Sequence, residues 1–119
     1  MKEVGEFVRN LNDVFELFGA IEAKRMFGGY GVYHDGLMFA LVVDEVLYLK
    51  ADRNSAELYV QLGLQQFGYE KSGKKMRVSY YAAPEDIFDD PEKAKEWADR
   101  AYEAALRARK MTKSEAKRK

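Results

Sequence analysis

The chain has 119 residues, of which 47% are hydrophobic and 34% are charged, and its formal net charge is zero. This is the size of one domain and the composition of a folded globular protein rather than a disordered one. The sequence contains no cysteine, which excludes disulfides, thiolate metal sites and cysteine nucleophiles.

The chain shows neither a signal peptide nor a membrane span. Its N-terminus has no apolar h-region, and its longest apolar run, 37–43, is far shorter than the roughly 20 residues that cross a bilayer. We therefore expect a cytoplasmic protein.

Charge is unevenly distributed along the chain. Residues 107–119, RARKMTKSEAKRK, contain seven bases and one acid, which leaves residues 1–106 with a net charge of −6. The expected organisation is a domain at 1–106 followed by a basic C-terminal tail at 107–119.

The first half of the chain predicts one helix and four strands. Apolar residues between Val4 and Phe18 recur at helical spacing and predict an amphipathic helix that ends at Gly19. Asp35-Gly36 is typical of a two-residue hairpin turn, and Asp44-Glu45 marks a second reversal with weaker turn chemistry. The predicted strands are at roughly 22–27, 30–34, 37–43 and 46–50.

The second half predicts a short helix, two strands and a long helix. Asp52 or Asn54 is expected to cap the short helix, with Gly63 just past its end. Strands follow at roughly 65–70 and 74–82. Alternation along the second of these predicts that one ring of the Tyr80-Tyr81 pair is buried and the other exposed. Asp90-Pro91 opens the last helix, which is predicted to run to about residue 109.

These elements predict an α+β fold with two layers. The order is α-β-β-β-β-α-β-β-α, and the short connections indicate an antiparallel sheet meander with flanking helices. The outer face of the sheet or an edge strand would then be free to contact a partner or to form a homodimer interface.

The stretch FGGYG, residues 27–31, is the most unusual part of the chain. A glycine loop that binds phosphate leads into a helix, whereas these glycines lie between two predicted strands. We favour a structural bulge or corner. The alternative is a contact surface for a partner, formed by open backbone beside aromatic and basic side chains. Its candidate residues are Lys24, Arg25, Met26, Phe27, Gly28, Gly29, Tyr30 and Gly31.

No pattern of residues predicts catalysis or metal binding. His34, the one histidine, is next to Asp35, but neighbouring residues on a strand point to opposite faces, so we interpret it as a polar residue beside the turn. The acids at 85–92 lack the spacing of a calcium loop and favour the start of the last helix instead. We predict no catalytic residue, no metal site and no cofactor.

Most of the chain resembles a known protein family. Its sequence over residues 5–105 is similar to the N-terminal domain of the TfoX/Sxy family, regulators of bacterial competence genes. The matching motifs are Arg25-Met26-Phe27-Gly28-Gly29-Tyr30-Gly31, Asp35-Gly36, Phe39-Ala40, Leu47-Tyr48-Leu49-Lys50, Ser79-Tyr80-Tyr81 and Pro84-Glu85.

The resemblance implies both a fold and a role. It implies an α+β fold like that of the type III secretion chaperones, and activation of competence genes alongside the cAMP receptor protein. Full-length members carry a second, helical domain, whereas this sequence continues into a basic tail. We therefore expect a stand-alone form of the N-terminal domain.

Three functions follow from these observations. We favour a non-enzymatic interaction module that regulates transcription or competence genes through protein contacts. The second is weak, non-specific nucleic-acid binding by the tail, because each base that meets a phosphate releases a counterion. Its candidate contacts are Arg107, Arg109, Lys110, Lys113, Lys117, Arg118 and Lys119. The third is an enzyme acting on a small molecule around His34, which would require a concave pocket with a perturbed titratable group.

Overall fold

A computed structural model describes residues 5–26 and 28–117, except for the side chains of 69–71, 75–77 and 111–117. The predicted order of helices and strands is confirmed. The elements are α1 (Glu6–Val14), β1 (Glu22–Met26), β2 (Gly29–His34), β3 (Leu37–Val43), β4 (Val46–Lys50), α2 (Ala56–Gln61), β5 (Gln66–Lys71), β6 (Lys74–Ala82) and α3 (Pro91–Lys117), with a short 3₁₀ turn at Glu85–Phe88.

The six strands form one antiparallel sheet in the order β1-β2-β3-β4-β6-β5. The first four strands are a meander, as the short connections predict. The last hairpin then places β6, and not β5, beside β4. The loop and helix α2 between β4 and β5 allow the chain to cross to the sheet edge before it turns back.

Tight turns join the strands of the meander. Asp35 and Gly36 have φ angles of +51° and +77°, and Asp44 and Glu45 have +53° and +60°. Two successive residues with positive φ match the right-handed twist of a hairpin. At 44–45 this geometry is adopted without glycine, at a backbone cost of about 1–2 kcal/mol per residue.

Helix α1 ends earlier than predicted. It stops at Val14 rather than continuing to Gly19, and residues 15–18 form turns. Phe15 and Phe18 pack on Phe39 of the sheet, with ring centroids 5.7 and 5.0 Å apart. The apolar stripe therefore continues past the helix because the turn, too, covers the sheet.

The core lies between the helices and one face of the sheet. On α3 the small side chains Ala94, Ala98 and Ala101 are fully buried, which brings the helix close to the strands. Tyr59 of α2 lies between Tyr81 and Trp97, with centroids 5.2 and 5.1 Å away. Helix α3 continues to Lys117, eight residues beyond the predicted end.

A bulge in β3 changes which side chains reach the core. The register with β2 shifts between Val32 and Tyr33, so one β3 residue is left without a direct partner there. As a result Phe39 and Ala40, although adjacent, both belong to the core on the helix side.

The prediction for the two tyrosines of β6 was wrong in one respect. Tyr80 and Tyr81 do point to opposite faces, but both are buried. The opposite face of the sheet therefore buries side chains although none of the described helices packs on it.

Candidate interaction surface

The outer face is defined as the face of the sheet on which none of the helices in the described part of the chain packs. The strand register places its residues in rows, because directly opposed residues share a face. One row contains Lys24, Gly31, Leu41, Tyr48 and Ala82. A second contains Met26, Gly29, Val43 and Val46. A third row contains Glu22, Tyr33 and Met38. On the two strands that follow in the sheet, Lys50 of β4 is opposite Tyr80 of β6.

The outer face is largely apolar. Antiparallel sheets with one packed face usually expose polar residues on the other. Here Met26 and Val46 are 40% and 38% exposed, while Leu41 is buried by its neighbours. The ring of Tyr48 packs against that of Phe67 on β5, with centroids 4.9 Å apart.

On this face one lysine of β1 and one of β4 cover tyrosine rings. The Nζ of Lys24 is 4.8 Å from the ring centroid of Tyr33, and the Nζ of Lys50 is 5.1 Å from that of Tyr80. Such cation–π contacts contribute about 0.5–1 kcal/mol at exposed sites. Burial, and to a smaller extent the neighbouring Tyr33, raise the pKa of Tyr80 to about 12.

The candidate residues of the glycine stretch do not form one patch. Lys24 and Met26 lie on the outer face, whereas Arg25 belongs to the row of the helix side. Arg25 lies over the ring of Tyr30 at 5.7 Å and donates a long hydrogen bond of 3.5 Å to its hydroxyl. Phe27 lies outside the described residues.

The three glycines of this stretch have different structural roles. Gly28 is in the β1–β2 turn with a φ of +66°, in the left-handed region. At Gly29 a Cβ would lie 2.1 Å from the carbonyl oxygen of Val42, so β2 requires glycine there. At Gly31 a Cβ would meet the sulfur of Met38 at 2.7 Å. The missing side chain at Gly31 leaves a depression that flexible groups fill.

Tyr30 and the nearby Tyr33 are only half-buried. Tyr30 packs against the core on the helix side, and Tyr33 lies on the outer face. Of these two rings, only that of Tyr30 packs against the core.

His34 is held by packing and by the backbone. Its Nδ1 is 2.7 Å from the carbonyl oxygen of Ala20, and its ring lies between those of Phe18 and Tyr102, at 4.6 and 5.0 Å. Its Nε2 is also 3.5 Å from the carboxylate of Asp35. The two side chains approach each other because Asp35 belongs to the turn and not to the strand.

The acids at 85–92 act at the start of α3. The Oδ1 of Asp90 accepts hydrogen bonds from the backbone N–H groups of Glu92 and Lys93, at 3.1 and 3.2 Å. Asp86 pairs with the Nζ of Lys93 at 2.9 Å, and this pair raises the pKa of Lys93. Within the described ranges no three His, Asp or Glu side chains come together as a metal site would require. Nor does any helix there have the length and apolar character to cross a membrane.

The first base of the predicted tail is joined to the domain. The Nε and one Nη of Arg107 donate to the two carboxylate oxygens of Asp52, at 2.5 and 3.2 Å. Asp52 in turn accepts from the N–H groups of Asn54 and Ser55, both at 3.1 Å. Asp52 therefore organises the turn before α2, whereas Ser55 occupies the N-cap position itself.

The remaining tail candidates lie on the last part of α3 or beyond it. Arg109 and Lys110 are exposed on the helix, and Lys113 and Lys117 continue the same helical backbone. Arg118 and Lys119 lie outside the described residues.

The sequence predicts a free outer face of the sheet but does not identify its residues. The sequence signal for these residues is the run LMFALVV at 37–43. It is apolar at every position, whereas a half-exposed strand alternates apolar and polar residues. A continuous apolar strand predicts that both faces of the sheet are covered. This points to Leu41, Met38 and Val43 on the side without helices.

Comparison with known proteins identifies the family. The sequence model of the TfoX N-terminal domain matches residues 13–105. The chain belongs to the TfoX N-terminal domain family. The match includes strands β1 to β6 and most of α3, so the outer face is part of the family domain.

Three relatives are similar to the chain. Protein Sxy of Escherichia coli is 32% identical over 89 residues, which are 75% of this chain and 43% of that protein. DNA transformation protein TfoX1 of Aliivibrio fischeri is 27% identical over 85% of this chain and 48% of its own length. DNA transformation protein TfoX of Haemophilus influenzae is 32% identical over 60% of this chain and 33% of its own. The chain spans less than half the length of each relative.

Proposed function

We propose that the chain is a non-enzymatic regulator of competence genes that acts through contacts with a protein partner. The observation that carries the proposal is the outer face, an apolar sheet surface of the family domain that none of the described helices covers. Two of its relatives are named DNA transformation proteins. The cAMP receptor protein, which the family resemblance suggests, is the first partner to test.

The ionisable groups support a binding role better than a catalytic one. The groups with shifted pKa values are explained by ion pairs or by burial. Arg107 lowers the pKa of Asp52, Asp99 raises that of Lys95, and burial raises that of Tyr59. His34, the candidate of the enzyme hypothesis, is packed between two rings and bonded to the backbone.

Transcript measurement tests this proposal. The gene is deleted in the organism that encodes the chain, and the transcripts of the DNA-uptake genes are compared with those of a strain that carries it on a plasmid. We expect the transcripts to fall on deletion and to recover with the plasmid. Unchanged transcripts in the deletion strain would contradict the proposal.

The second candidate function is non-specific nucleic-acid binding by the end of α3. The observation that favours it is the continuation of the helix to Lys117, which carries Lys110, Lys113 and Lys117 at spacings of three and four residues. Arg107 is already paired with Asp52, so a version that ends at Ala108 is the suitable truncation. Salt-sensitive anisotropy changes with labelled duplex DNA that disappear in this version would support the function, and no binding by the full chain would exclude it.

A further inference from the structure

The middle of the outer face is an apolar strip along β2 and β3. It contains Gly29 and Gly31 of β2 beside Leu41 and Val43 of β3, and the sulfurs of Met26 and Met38 cover Gly31, at 3.0 and 2.7 Å from the position of a Cβ there. Methionine side chains adapt to irregular partner surfaces because they are unbranched and flexible. The sulfurs of these methionines fill the space over Gly31, and their flexibility allows this strip to reshape around a bound apolar side chain.

Cations border the apolar strip on both sides. Lys24 lies on β1 and Lys50 on β4, about 14 Å apart across three strand spacings, and Lys50 is two residues further along the sheet because Lys24 shares its row with Tyr48. An α-helix with its side chains is about 10–12 Å across, which fits between them. On strands β1 to β4 the only other charged residue of this face is Glu22.

We propose that the outer face binds an amphipathic helix of a protein partner, whose apolar stripe lies along β2 and β3 and whose flanks carry carboxylates that meet Lys24 and Lys50. The proposal rests on the proposed function, since it specifies the chemistry of the partner through which that function acts.

Charge complementarity selects this occupant over a second copy of the chain. If two outer faces met over strands β1 to β4, each would bring two lysines and one acid, so a net positive charge would face a net positive charge. A partner with acidic flanks instead satisfies both lysines and keeps the apolar centre dry.

The tyrosine rings argue against single-stranded nucleic acid. Such ligands stack their bases on open aromatic rings. On the outer face Lys24 covers Tyr33 and Lys50 covers Tyr80, and Tyr80 is also buried. What the face offers is mainly aliphatic and thioether surface, which suits leucine or isoleucine side chains.

Binding of defined peptides to the full chain tests the proposal. One probe is a stapled helix with a leucine stripe flanked by glutamates on both sides, and its control has lysines in place of the glutamates. We expect the acidic probe to bind and to shift the amide resonances of Gly31, Leu41 and Tyr48. A Lys24→Gln/Lys50→Gln variant should bind it roughly tenfold more weakly, since each exposed ion pair contributes up to about 1 kcal/mol.

The matched control variant is Lys93→Gln/Lys95→Gln, which removes two lysines from the helix layer. It should bind the acidic probe as the natural chain does. Val46→Asn, at an exposed apolar position, should also weaken binding and does not depend on the lysines. Amide spectra establish that each variant is folded.

Several results would overturn the proposal. These are equal binding of the lysine-flanked probe, resonance shifts confined to the helix layer, an outer face buried in a homodimer, or tighter binding of a single-stranded oligonucleotide on this face. None of these results would change the outcome of the transcript experiment. Failure of this inference is therefore distinguishable from failure of the proposed function.

Discussion

Arg107 and Asp52 are separated by 55 positions in the chain and are joined by two hydrogen bonds between the guanidinium and the carboxylate. The pair links α3 to the turn before α2, where Asp52 already accepts from two backbone N–H groups. It therefore holds the long helix against the sheet near the helix's basic end.

Removing this pair should lower stability. For Arg107→Gln we expect the free energy of unfolding at neutral pH to fall by about 1 kcal/mol, a modest value because the arginine is 40% exposed. Urea unfolding followed by the fluorescence of Trp97 measures the change. Arg109→Gln, at an exposed position of the same helix, is the control and should have no effect.

The contribution of the pair should depend on pH. Arg107 holds the pKa of Asp52 below its ordinary value of 3.8, so the stabilisation is complete above that value and is lost as the pH falls towards the folded-state pKa. The difference between the natural chain and Arg107→Gln should therefore narrow in strong acid. A difference that stays constant there would show that the carboxylate is not its source.

Alanine substitutions at the three glycines of the stretch should lower stability by different amounts. Gly29→Ala should cost the most, about 2–3 kcal/mol, since its Cβ would lie 2.1 Å from a backbone oxygen that cannot move freely. Gly28→Ala should cost about 1–2 kcal/mol for its left-handed φ of +66°. Gly31→Ala should cost less than about 1 kcal/mol, because the flexible end of Met38 can shift. Thermal unfolding of the three variants checks this order, and a Gly31→Ala variant less stable than Gly29→Ala would refute it.

Tyr80 should ionise late in an alkaline titration. Its pKa of about 12 lies above the ordinary 10.0, so Tyr80→Phe should remove one tyrosine from the late phase of phenolate absorbance. A raised pKa also means that its contribution to stability is complete below pH 10 and declines as the pH rises towards 12. The same titration in concentrated urea should lack the late phase, and a late phase unchanged in Tyr80→Phe would contradict the assignment.

Tyr59 permits a test of a buried hydroxyl. Its oxygen has no hydrogen-bond partner among the described residues, although the ring is fully buried. Tyr59→Phe should leave stability unchanged or raise it by up to about 1 kcal/mol, because the unmet desolvation cost disappears. Tyr59→Leu should lower it by about 2–4 kcal/mol through lost ring contacts. A clear loss in Tyr59→Phe would show that the hydroxyl has a partner after all.

The parts of the fold that depend on neighbouring residues were predictable from sequence. The Asp35-Gly36 turn and the cap at Asp90 are local, and the structure has both where they were expected. The end of α1 was not predictable in this way, because Phe15 and Phe18 continue the apolar stripe while packing on the sheet from turns.

The surface proposed here depends on relations between distant residues. The rows of the outer face are set by strand order and by the bulge at Phe39, neither of which has a local signature. The basic tail is a second example. Composition places Arg107 in a tail that follows the domain, whereas its guanidinium pairs with Asp52, 55 positions earlier in the chain. Composition indicates which groups are available, and only the fold determines which of them are already paired.

The central claim is that the outer face carries the regulatory contact. Its most direct test returns two variants to the deletion strain at equal protein levels, Lys24→Glu/Lys50→Glu on the outer face and Lys93→Glu/Lys95→Glu on the helix layer. We predict that transcripts of the DNA-uptake genes recover with the helix-layer variant and not with the outer-face variant. Full recovery with the outer-face variant would contradict the claim.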